Sequence, residues 1–105
     1  MTYVHVALFA WKSDVEQSDV DRVMAEVALL QDKVPGVIEI FAGENQSKYS
    51  EDYSHVVMVR AQSQAAIDAY RAHPDHVKAA AEIDTYELKS VGVDFSTSND
   101  QGGDN

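Results

Sequence analysis

The chain has 105 residues, the size of one domain with a single hydrophobic core and too short for a multidomain enzyme. Hydrophobic residues make up 45% and charged residues 25%, which excludes collagen-like and wholly disordered chains. With 8 Lys+Arg against 18 Asp+Glu the net charge is −10, so phosphate backbones and anionic membranes are poor partners, and the absence of cysteine excludes disulfides, thiolate zinc sites and a cysteine nucleophile.

The opening MTYVHVALFAWK has no basic leader and no long apolar run, so a cytoplasmic protein is expected. From Thr2 to Lys12 it alternates on period two. Tyr3, His5, Ala7, Phe9 and Trp11 share one face, and Val4, Val6, Leu8 and Ala10 share the other. A strand apolar on both faces needs two covers: helices can supply one, and a second copy of the chain is the natural candidate for the other.

Ser18, three residues before Asp21, predicts a helix N-cap with a capping-box partner. Val20, Val23, Met24, Val27, Leu30 and Val34 then recur at spacings of three and four, a single apolar stripe. Pro35-Gly36 ends the helix. Val37 to Ala42 reads as a strand, and a polar loop follows through Asp52, with Tyr49 and Tyr53 expected to cover the sheet edge.

His55 to Ala61 is a third strand, with His55 expected near solvent. Ser63 caps a helix over 64–72, and His73-Pro74 breaks it before a further helical stretch through Glu82. Tyr86 to Phe95 completes β-α-β-β-α-β, the ferredoxin-like order of an α+β domain over residues 1–95. Residues 96–105 carry nothing to bury and read as a mobile tail.

The segments HVALFAWK, VPGVIEIFAGENQS and DAYRAHPDHV together resemble the stress-responsive A/B-barrel domain family over nearly the whole chain up to Phe95. The shared pattern is the first-strand His, the PGV turn, Gly43-x-Asn45-x-Ser47, and the Y-x-x-H-P-x-H run from Tyr70 to His76. The resemblance implies a ferredoxin-like protomer that pairs sheet to sheet into a homodimeric α+β barrel. One branch, plant polyketide cyclases of the olivetolic-acid type, closes a poly-β-keto chain by an aldol step without metal or organic cofactor. By motif position its base, helper and pocket histidine fall on His76, Tyr70 and His5. The bulky Phe9 and Trp11 depart from the pattern and could fill the cavity.

The residues permit this chemistry. His76 lies in the first turn after Pro74, where the positive helix end favours the neutral imidazole of a general base, while Asp75 pulls the other way. Tyr70 could hold an enolate oxygen. Equally, His76 and Tyr70 could simply pack at the helix junction, and His5 could be a satisfied core histidine. Ala7, Phe9, Met24, Val27 and His73 are the candidate contacts for an apolar or aromatic carbonyl compound, although His73 is more simply a helix-ending residue. The spacing H-P-D-H is wrong for two helical metal ligands, so no resident metal is expected. The alternative is a non-catalytic dimer whose own side chains fill the cavity. Strand register decides whether Phe9 and Trp11 face that cavity or the partner.

Overall fold

The computed structural model describes residues 1–98. Its elements are β1 (Thr2–Trp11), α1 (Gln17–Ala28), a 3-10 turn (Leu29–Asp32), β2 (Val37–Glu44), β3 (His55–Ala61), α2 (Gln64–Ala72), α3 (Pro74–Tyr86) and β4 (Glu87–Thr97). All strand pairs are antiparallel, in the order β2-β3-β1-β4. This is the ferredoxin-like α+β arrangement, in which the two strands with the clearest apolar alternation occupy the centre.

The register resolves the question left open by β1. His5 pairs with Val59 and Asp94, and Phe9 with His55 and Ser90. Directly opposed residues share a face, so His5, Ala7, Phe9 and Trp11 lie with Val57 and Val59. That face carries the helices. The buried stripe Val20, Val23, Met24 and Val27 of α1, with Ala66, Ile67 and Tyr70 of α2, closes the core over it. On the other face Val6 stands between Met58 and Val93, and Val4 is opposite Phe95. Among the described residues no helix packs on this side, where Phe41, Val93 and Phe95 remain 52%, 47% and 51% exposed.

Several boundaries differ from the sequence reading. Helix α1 is capped by Glu16 rather than Ser18, because the Glu16 carbonyl already accepts from Asp19 and Val20 and places Ser18 inside the first turn. The helix after Pro74 runs on to Tyr86, so β4 starts at Glu87. β4 continues through Thr97, with Thr2 opposite Thr97 and Tyr3 opposite Ser96, so the first two residues of the expected tail belong to the sheet. Residues 99–105 of that tail lie outside the described residues. His55 is buried, not solvent-facing, and accepts a hydrogen bond at Nδ1 from the Trp11 indole at 2.9 Å. In the loop, Asn45 Nδ2 donates to the Tyr53 carbonyl and Asn45 Oδ1 accepts from Ser47 N–H, so Gly43-x-Asn45-x-Ser47 acts as loop scaffolding. Tyr53 lies beneath Lys89, whereas Tyr49 is 78% exposed, with Lys48 Nζ over its ring. Among the described residues no helix is long and apolar enough to cross a membrane.

The turn at Gly36 fixes how β2 enters the sheet. Its φ is +88°, and a Cβ there would meet Ala66 Cβ at 2.8 Å. Gly36→Ala should therefore cost more than about 1 kcal/mol in urea unfolding. Ser63→Ala should cost about 1 kcal/mol, because Ser63 Oγ accepts from Ala66 N–H. A neutral Gly36→Ala would mean that the turn relaxes freely.

Candidate functional site

Between the helices and β1 lies a small, partly open cavity of about 40 Å³, lined by His5, Ala7, Phe9, Val27, Val57, Tyr70, His76, Ala80 and Ile83. It has room for about one or two waters. Six of the expected side chains meet there: His5, Ala7, Phe9, Val27, Tyr70 and His76. Two do not line it. Met24 faces a larger, open groove between α1 and β2 that also includes His55. His73 caps α3 by accepting from Asp75 N–H at 3.0 Å. Phe9 forms part of the cavity wall and is stacked on Trp11 with ring centroids 5.3 Å apart.

The geometry of His76 follows from the broken helix. In a continuous helix the Arg71 carbonyl would accept from Asp75 N–H, four residues on. Here that N–H goes to His73 Nδ1, and Pro74 supplies no donor of its own. The Arg71 carbonyl is instead 3.0 Å from His76 Nδ1. A carbonyl only accepts, so Nδ1 carries the proton and Nε2 is left as the acceptor.

Burial lowers the His76 pKa below its ordinary 6.5, outweighing the hydrogen bond to the Arg71 carbonyl, and the neighbouring His5 adds to the lowering. Asp75 exerts little counter-pull, because its carboxylate is paired with Lys33 Nζ at 2.8 Å, the main cause of its own lowered pKa. The rings of Tyr70 and His76 are 4.6 Å apart at 58°. Burial pushes the Tyr70 phenol up to about 12, so it remains a neutral O–H donor.

His5 Nδ1 lies 2.6 Å from Asp94 Oδ1 and 3.0 Å from Arg71 Nη2. The shorter contact, to a carboxylate, assigns the Nδ1 proton to the bond with Asp94. Arg71 Nη2 also donates to both Asp94 oxygens, at 3.0 and 2.8 Å. Arg71, then His5, holds the Asp94 pKa below the usual carboxylate range. Sequence reasoning missed Arg71 and Asp94. The available signal was Asp94 within V-G-V-D-F, on the alternate face from Val93 and Phe95, but only the 5-to-94 register shows that it meets His5.

The site thus combines two imidazoles, each anchored through Nδ1, with one neutral phenol, on a ferredoxin-like α+β scaffold. Among the described residues no group of three or more His, Asp or Glu is placed to hold a metal ion. The sequence profile of the stress responsive A/B barrel domain, Dabb, matches residues 4–97, and the chain belongs to that family.

Solved structures of the same fold include a dimeric ferredoxin-like protein of unknown function from Thermobifida fusca, 27% identical with a TM-score of 0.81 and 92% of each chain covered. A Dabb family protein from Mesorhizobium loti is 21% identical, with a TM-score of 0.75 over 91% of this chain and 96% of its own. A hydroxynitrile lyase from Passiflora edulis is 19% identical, with a TM-score of 0.79 over 90% and 91%. No curated protein matches the chain.

The lowered His76 pKa has a definite sign for stability. With the folded value below the unfolded one, the unfolded chain binds more protons between the two values. The stabilising contribution is therefore present above the unfolded value of about 6.5 and is lost as pH falls through the folded value. His76→Gln should flatten the fall in unfolding free energy between about pH 7 and about pH 5. In an NMR titration of the wild type, the His76 ring should protonate below 6.5; a midpoint above that value would contradict the assignment.

Proposed function

We propose that this chain forms a homodimer, sheet face on sheet face, and binds a small apolar or aromatic carbonyl compound in the His76–Tyr70 cavity as a cofactor-independent general-base site. The observation that carries this reading is the His76 ring, fixed through Nδ1 on the Arg71 carbonyl so that Nε2 is the acceptor, beside a buried neutral phenol. His76 Nε2 would take a proton α to the carbonyl, and the C–H electron pair would pass to the carbonyl oxygen, held by Tyr70 O–H. In an aldol closure the enolate carbon attacks a second carbonyl, and the resulting alkoxide recovers the proton from His76. The Passiflora lyase supports the view that this fold can house lyase chemistry. The dimeric Thermobifida neighbour and the uncovered apolar sheet face support self-association.

A second reading rests on the cavity volume. At about 40 Å³, with Phe9 in its wall, the site as it stands holds no long-chain substrate, which favours a non-catalytic dimer whose own side chains fill the space.

Light scattering should give twice the chain mass, and Val93→Lys with Phe95→Glu should yield monomer; a monomeric wild type would overturn the sheet-to-sheet reading. Solvent exchange of the α-protons of small ketones and β-diketones in D2O should be accelerated by the wild type and return to background in a folded His76→Ala. Exchange that persists in His76→Ala rules out His76 as the base. No thermal shift and no exchange with any carbonyl compound favours the filled-cavity dimer, since a ligand at 100 times its Kd should add about 2.7 kcal/mol of stability.

A further inference from the structure

We infer that Arg71 is a specificity-determining residue that gives the His76 cavity a preference for oxo-carboxylates, with the ligand's carbonyl inside and its carboxylate on the guanidinium. The inference rests on the carbonyl-binding reading above and adds to it the class of substrate. Arg71 reaches both imidazoles of the site: its carbonyl orients His76, and its Nη2 lies 3.0 Å from Nδ1 of His5, which lines the cavity. Its side chain is 40% exposed while that of His5 is 12% exposed, so the guanidinium stands on the solvent side of His5.

The surroundings of the three arginines differ. Arg22 is enclosed by Asp19, Glu26 and Glu82, and Arg60 is engaged by Glu39 through both Nε and Nη2. Among the described residues, the hydrogen bonds of the Arg71 guanidinium run through Nη2 to Asp94, with His5 Nδ1 alongside at 3.0 Å. Its Nε–H and Nη1–H groups, on opposite flanks of the guanidinium, are therefore open, and Nη1 can donate to a second carboxylate without displacing Asp94. In a chain of net charge −10 the long-range field repels anions, so retention of an anion requires a local cationic donor. Asp94 opposes the ligand's charge, but it also holds the guanidinium in place beside His5. The small cavity limits the buried end to a short aliphatic ketone.

The test uses matched pairs that differ only in charge: 4-oxopentanoate against 4-oxopentanamide, and 5-oxohexanoate against 5-oxohexanamide. Affinities are measured by NMR titration, following the His76 ring and the Arg71 Nε–H signal. The acids should bind about tenfold more tightly than the amides. Arg71→Gln should bring acid and amide to equal affinity, and Asp94→Asn, which keeps Arg71 and removes the competing carboxylate, should enlarge the preference. Equal binding of acid and amide, or a preference that survives Arg71→Gln, overturns the role of Arg71 while the carbonyl reading stands. Binding of neither member of either pair to the wild type overturns both.

Discussion

The constraint on which this structure depends is the two-sided apolar character of β1, a central strand. Its odd-numbered positions carry His5, Ala7 and Phe9 into the helix-covered core, and its even-numbered positions carry Val4, Val6 and Leu8 to the other face. The pleat makes these assignments inseparable, because a slip of one residue would exchange the two sets. Burial of Phe9 under the helices therefore also commits Val6 and Leu8 to the side on which Phe41, Val93 and Phe95 are half exposed. Full burial of each such side chain is worth about 1.5–3 kcal/mol, enough for an uncovered sheet face to act as a strong drive to association.

The charge distribution is compatible with that drive. On the open face Glu39 is neutralised by Arg60 opposite it, while much of the acidic excess lies elsewhere, for example at Asp19, Asp21 and Glu26 on α1. Charges separated by more than the screening length of about 8 Å interact weakly at physiological ionic strength. A net charge of −10 can thus keep the helix side soluble without preventing two sheet faces from meeting.

Much of the fold was legible because its signals are local. Period-two alternation marked β1, the three-four stripe marked α1, and Pro35-Gly36 and His73-Pro74 marked the breaks. Glu16 was missed as a cap because its backbone carbonyl, not a side chain, closes the first turn of α1. The site was legible only where it follows the helix break: Tyr70 and His76 fall close together because the chain changes direction between them. His5 could be placed near them only by resemblance, and Arg71 and Asp94 not at all, since the ion pair joins α2 to the last strand. The burial of His55 likewise depends on a Trp11 contact 44 residues away in sequence.

The helix break does more than end α2. It leaves the Arg71 carbonyl without its usual N–H partner, and His76 takes that place, so a local defect in helical hydrogen bonding sets the tautomer of the ring. The energetic logic is that of a cap: an unpaired carbonyl in a partly buried junction costs about 1–3 kcal/mol, and the imidazole N–H removes that cost. A purely structural histidine would satisfy the same requirement, which is why this hydrogen bond alone does not define an active site. What distinguishes His76 is the other side of its ring system: a buried neutral phenol, a second anchored imidazole and a small space bounded by the Phe9 ring. Phe9 therefore holds the balance between the two functional readings, because its stacking on Trp11, itself tied to His55, resists the rotation that would enlarge the cavity.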